Sequence, residues 1–165
     1  MATPKYPLAQ VLEIKQRRVE KQEEVVKQKK EALEVEKRKL EERKKEREVV
    51  KNHYDDKLKQ LREELDGETN TDKIKQMKYY LKEVQEKLKI EDMKVKEQED
   101  QVKLAEKEVE DALEELRKKR LEVDKLLTHR VDWNKEMLKE QTIIDGREQD
   151  EMGTIIFSKH QRERM

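Results

Sequence analysis

Three histidines, many carboxylates, one run of four bases and two adjacent tyrosines are the residues of this sequence that could do chemistry. An imidazole could ligate a metal or move a proton. His53, His129 and His160 stand far apart, however, with no second histidine or cysteine at i+3 or i+4, so the sequence offers no helical metal-ligand set. The Glu and Asp pairs could be read as acid–base dyads, but at helical spacing they read as i,i+4 ion pairs on solvated faces. The acidic stretch Asp145 to Glu151 lacks the ligand spacing and central glycine of a calcium loop. With no cysteine there is no disulfide, thiolate nucleophile or cysteine metal site. Phosphate loops, nucleophile elbows and dinucleotide fingerprints are absent. Catalytic residues, cofactors and metals are therefore all expected to be none. Arg117-Lys118-Lys119-Arg120 could touch phosphate. It follows the acidic stretch Glu106 to Glu115, and the chain's 41 basic and 41 acidic residues cancel, so it reads as part of a mixed face and no nucleic-acid partner is expected. Tyr79 and Tyr80 cannot both face one seam. At most one faces the seam and the other is exposed, and the tyrosine there either packs its ring along neighbouring stems or anchors a partner at the tip.

The scaffold that holds these residues is constrained by composition. Half the residues are charged, 32% are hydrophobic and 4% are aromatic, which cannot fill a layered globular core. Ile74, Leu81, Leu88, Val95, Val102, Val109, Leu116 and Val123 recur every seventh residue without a break. A strict seven-residue repeat keeps one seam on a partner only when helices supercoil. The prediction is an all-α chain: two long antiparallel helices forming a coiled-coil hairpin, with a longer second helix. Residues 1–7 form a lead whose Pro7 suits a first helical turn. Helix one spans 8–65 and carries its own heptad, Leu12, Val19, Val26, Leu33, Leu40, Arg47, Tyr54 and Leu61. Residues 66–71 form the turn, with Gly67 expected in the left-handed conformation and Asn70 or Thr71 as cap. Helix two spans 72–145, and 146–165 form a tail. The helices would be roughly 85 Å and roughly 110 Å long. No apolar run nears the roughly 18 residues that span a bilayer, and the N-terminus lacks a signal peptide's apolar region. Direct membrane insertion is not expected, and the expected location is cytoplasmic.

A six-residue turn makes the helices antiparallel neighbours within one chain, a monomeric hairpin. Setting Leu65 opposite Ile74 makes partner numbers add to about 139. Charge agrees with this register: Lys37 to Lys51 has eight basic and four acidic residues, and the facing Leu88 to Val102 has five acidic and three basic. A second seam on helix two runs Met77, Val84, Glu91, Gln98, Ala105, Ala112, Lys119, Leu126, Trp133. The companion seam of helix one is read as Leu58 and Leu65 near the turn and Lys30, Lys37, Lys44 and Lys51 in the middle. That reading pins the hairpin at its tip and base and leaves the middle half-polar, a pattern that trades stability for register.

Helix two outlasts helix one. Leu8 should lie near Val131 and Tyr6 near Trp133, so that Trp133 either caps the base of the hairpin or meets a partner. Beyond it Met137, Leu138, Ile143 and Ile144 have nothing in the chain to cover them, and Arg147, Glu148, Asp150 and Glu151 follow. Ile155, Ile156 and Phe157 either fold back on the helices or dock elsewhere. Unpartnered apolar residues of this kind mark an interaction surface.

Several strings carry a resemblance: Tyr6-Pro-Leu8, Val11-Leu-Glu-Ile-Lys15, Lys51-Asn-His-Tyr54, Leu61-Arg-Glu-Glu-Leu65 and Glu148-Gln-Asp-Glu-Met-Gly153. With the hairpin pattern, the chain resembles the YscO/FliJ family of type III secretion and flagellar export, most of all its chlamydial member. The resemblance implies a non-enzymatic central stalk. Its terminal end, with Met137, Leu138, Ile143, Ile144, Arg147, Glu148, Asp150 and Glu151, would dock into the type III secretion ATPase ring. Its tip, with Tyr79 and Tyr80, would face the export-gate protein, and secretion chaperones would be handed over along it. The location implied is the cytoplasmic periphery of the inner-membrane apparatus. The alternative is a generic coiled-coil scaffold or adaptor. A prefoldin-type chaperone would need strands that a six-residue turn cannot hold, and a nucleic-acid-gripping arm would need a basic tip.

Overall fold

A computed structural model describes residues 4–67 and 70–164. It contains two helices, α1 (Ala9–Asp66) and α2 (Thr71–Arg164), with no strand among the described residues. The hairpin expected from the heptads is present, and its second helix is the longer, at 94 residues against 58. Of the expected boundaries, Met1–Thr3 in the lead, Glu68 and Thr69 in the turn, and Met165 lie outside the described residues.

The helix ends follow local chemistry. Tyr6, Pro7, Leu8 and Ala9 close a turn through the Ala9 N–H to the Tyr6 carbonyl at 3.1 Å, after which Leu12 N–H bonds Leu8 O at 2.9 Å. Proline's fixed φ suits that turn. Asn70, one of the two expected caps, takes the N-cap role: its side-chain oxygen accepts from Asp72 N–H at 3.1 Å, and its carbonyl accepts from Ile74 N–H at 3.3 Å. Asp72 adds negative charge to the first turn, where the helix dipole favours it. Gly67 departs from expectation. No glycine has positive φ. Gly67 instead donates its N–H to the Glu64 carbonyl at 3.3 Å, a tight last turn that needs no left-handed residue.

The larger departure is at the other end of α2. The sequence predicts a helix ending at Asp145 with 146–165 as a tail, yet α2 runs on through Gly146 and Gly153 to Arg164. Each helical glycine costs about 1 kcal/mol relative to alanine. The two glycines are isolated, no proline follows them, and good helix formers surround them, so neither ends the helix.

The chain divides into two compact units, Met1–Gln22 with Leu116–Met165, and Glu23–Glu115. In the second unit, Val26 and Leu61 of α1 and Val84, Val95, Val102, Ala105, Val109 and Ala112 of α2 are buried. In the first, Tyr6, Leu12 and Leu116 are buried, with Gln22 the buried polar residue. Every residue of both expected α2 seams is buried or half-buried, as is every residue of the α1 heptad from Leu12 to Leu61. Cross-helix ion pairs confirm the register to within about two residues: Lys15–Glu122 at 2.9 Å, Lys29–Glu108 at 3.2 Å, Arg47–Asp92 at 3.1 Å and Lys73–Glu64 at 3.2 Å. The Lys15 hydrogen bond, with its charge, holds the Glu122 carboxyl below the usual carboxylate range. The contribution of that pair is therefore present at neutral pH and lost as pH falls through the lowered value.

The companion seam of α1 is not the one expected. Of its residues Leu58 is half-buried as expected, but Lys30, Lys37, Lys44 and Lys51 are all exposed, and Leu65 is 51% exposed. The residues that turn toward α2 are Lys15, Gln22, Lys29, Glu36, Arg43, Val50, Lys57 and Glu64, one position earlier. Rows three and four residues after a heptad position are both near the interface. The earlier row prevails because its long side chains lay their stems across the seam and set their heads against acids on α2, as Lys15 and Lys29 do. Gln98 fills its seam position by donating to the Glu36 carbonyl at 3.0 Å. Lys119 donates to Gln22 Oε1 at 3.3 Å. Nor is the turn region the best-buried part of its unit. The small Ala105 and Ala112 are buried in the stretch expected to be the half-polar middle.

This arrangement predicts a sharp contrast between two valines. Val84, 2% exposed, should cost about 1 to 3 kcal/mol on replacement by Ala. Val49, 68% exposed, should be neutral or slightly stabilising under the same change, since Ala is the better helix former. Urea denaturation of the two variants measures this.

Candidate partner-docking surface

The covered part of α2 ends at an aromatic cluster. Tyr6 is buried, and its ring meets Trp133 edge-on at 5.6 Å between centroids and 63° between planes. Its hydroxyl is hydrogen-bonded to His129 Nδ1, with the two rings 5.6 Å apart. His129 and Trp133 are four residues apart, so they present one face, and the lead folds Tyr6 onto it. The Tyr6–Trp133 contact matches the expected register. Trp133 thus caps the base of the hairpin. The part played by His129 was not foreseen, although its i,i+4 relation to Trp133 was visible in the sequence.

Beyond this cluster α2 has no cover among the described residues. From Leu138 to Arg164 every residue but Gly146 is exposed. Met137 is half-buried. Leu138 is 69% exposed, and Ile143 and Ile144 are also exposed. At 100° per residue Met137 and Ile144 lie within about 20° of one another, Leu138 lies about 100° to one side of Met137 and Ile143 about 120° to the other. The four expected docking residues therefore do not form a single stripe. Arg147, Glu148, Asp150 and Glu151 are exposed on the helix itself, not on a tail. Of these, Glu148 and Glu151 fall on the Met137–Ile144 side.

Ile155, Ile156 and Phe157 do not fold back. They are exposed on α2, with Phe157 63% exposed, and Met152, which the sequence reading passed over, joins them. The helical continuation explains why: a helix that keeps going cannot bring these side chains back onto α1. A surface-lying string of Leu, Ile, Met and Phe on a highly charged chain has the composition of a protein-contacting surface.

The tyrosine pair lies in the other unit, and both side chains are exposed, Tyr80 at 41%. Tyr80 is held by α1: its hydroxyl is 2.9 Å from His53 Nε2, the rings meet at 89°, and Lys57 Nζ lies 5.6 Å from its centroid. Tyr79 is 68% exposed. It lines a shallow surface depression with Lys82, Glu83 and Glu86. Of the two, Tyr79 is the more exposed.

The aromatic cluster gives a direct readout, since Trp133 is the only tryptophan. Replacing Tyr6 with Ala should shift its fluorescence emission to longer wavelength. An unchanged spectrum would mean that Tyr6 does not shield the indole in solution.

Among the described residues no helix is long and apolar enough to cross a membrane, and no group of three or more His, Asp or Glu is placed to hold a metal. The YscO-like protein family model matches residues 3–163. No curated protein matches significantly. A solved structure of the Chlamydia trachomatis protein CT670, described as a candidate YscO homolog, is similar at 46% identity and a TM-score of 0.93. The match covers 97% of this chain and 99% of that one. The chain belongs to the YscO-like family and is thus a type III secretion-related protein.

Proposed function

We propose that this protein is a non-enzymatic central-stalk component of a type III secretion apparatus, and that the uncovered end of α2 docks it into the secretion ATPase ring. The observation that carries the reading is the row of exposed apolar side chains past Trp133, including Leu138, Ile144, Met152 and Ile155, on a helix whose covered part ends there. Water-exposed apolar area of this kind gains free energy when a partner buries it. The charges beside it, Arg147, Glu148, Asp150 and Glu151, act on orientation and encounter rate more than on affinity. In this proposal Tyr79, on the other compact unit, contacts the export-gate protein, and secretion chaperones are exchanged on the chain's charged faces. The working location is the cytoplasmic side of the inner-membrane apparatus.

Two full-length variants separate the two contacts. Leu138→Glu with Ile144→Glu alters only uncovered positions, so helicity should be unchanged while stimulation of the cognate ATPase falls at least about tenfold, as expected when charge is forced into an apolar interface. Tyr79→Ala should keep full stimulation and reduce secretion in cells. Full stimulation by the double variant would mean that the docking end has been misplaced and would favour a generic coiled-coil scaffold.

A further inference from the structure

The uncovered end of α2 carries a second pattern, which shares Met152 and Ile155 with its apolar surface and adds charge on both flanks. Asp145, Glu148, Met152, Ile155, Lys159 and Arg162 are separated by three, four, three, four and three residues. That is the spacing of the inward row of a two-helix seam. All six are helical and exposed. The row reads acid, acid, apolar, apolar, base, base. It is complementary to itself in reverse. If two copies lie antiparallel about a twofold axis between Met152 and Ile155, Asp145 of each copy meets Arg162 of the other. Glu148 then meets Lys159, and Met152 meets Ile155. A parallel pairing would set acid on acid and base on base.

We propose that the α2 ends of two copies of this chain associate through this row as an antiparallel, twofold-symmetric pair. A twofold interface requires that one patch be complementary to itself, and this row meets that requirement at all six positions. The nearest surface feature agrees. Asp145, Glu148, Gln149, Met152, Gly153 and Ile156 line a shallow groove along the same side of α2. Within its own helix Asp145 accepts only from the Gln141 amide, at 3.0 Å, a bond that leaves its second oxygen for a cation. The opposed charges cover both flanks of a short apolar centre, so the pair is weak, reversible and sensitive to salt. This association is separate from the hairpin, which is completed within one chain by α1, and it does not depend on the ATPase reading.

Sedimentation velocity of the full-length protein from about 1 µM to about 1 mM, a range that reports weak dissociation constants, tests it. The wild type should move from monomer to dimer as concentration rises, and less so at high salt. Lys159→Glu with Arg162→Glu should raise the dimer dissociation constant more than about tenfold, and Asp145→Lys with Glu148→Lys should do the same, because each sets like charges together. Mixing the two double variants should restore a dimer, now heteromeric. A wild type that stays monomeric throughout would overturn the proposal. So would charge-reversed variants that still dimerise, or a mixture that stays monomeric.

Discussion

A two-helix coiled coil has a single interface, and everything else about this chain depends on where that interface stops. Each helix can bury only the stripe that the other covers. The chain is half charged, so its stability comes from that stripe and from little else. Where α1 supplies a facing row, α2 residues such as Val84, Val95 and Val102 are buried. Where it does not, beyond Trp133, residues of similar hydrophobicity stay in water. The difference between these regions of α2 is one of partner supply, not of composition, and it separates a structural surface from one free for recognition.

The covered seam is itself unusual in carrying polar residues at inward positions. Gln98 bonds the α1 backbone at Glu36, and Gln22 is buried beside Lys119. Glu91 leaves one carboxylate oxygen buried without a partner while the other lies 3.3 Å from Lys94. A purely apolar seam would be more stable but would tolerate slippage by a heptad, because every layer would look alike. Polar layers that are satisfied in only one alignment, together with Lys15–Glu122 and Lys29–Glu108 at matching offsets, fix the register. A surface ion pair adds little stability. Its role here is to select which residues oppose one another.

The heptads, the antiparallel pairing and the Tyr6–Trp133 closure were legible because they depend on period and on loop length, both of which the sequence states directly. The charged row of α1 was not, because Lys29 and Lys30, or Arg43 and Lys44, are equivalent in type, and only the cross-helix partner decides between them. Val50 beside Lys51 was the available clue, overridden by Leu58 and Leu65 on the other row. The end of α2 is not legible from the heptads, which lose their regular apolar row after Trp133. A helix stop needs a capping geometry or a proline, and Gly146 and Gly153 have neither. Treating 146–165 as a tail hid the regular spacing of Asp145 through Arg162, which is visible only once the segment is known to be helical. Family membership was legible in scattered noncharged strings, whereas the partner-facing roles of Leu138, Ile144 and Tyr79 rest on exposure, which sequence does not record.

The central claim is that α2 is one helix with a covered part and an uncovered part. Amide hydrogen exchange resolved along α2, on dilute protein, measures this most directly, because an isolated helix is marginal and opens readily while a paired one does not. The account predicts strong protection from about Leu81 to about Trp133 and a fall beginning within a turn or two of Met137 that persists to Arg164. Protection that continued undiminished through Phe157 would show that the end of α2 is covered in the free protein, and would contradict the account.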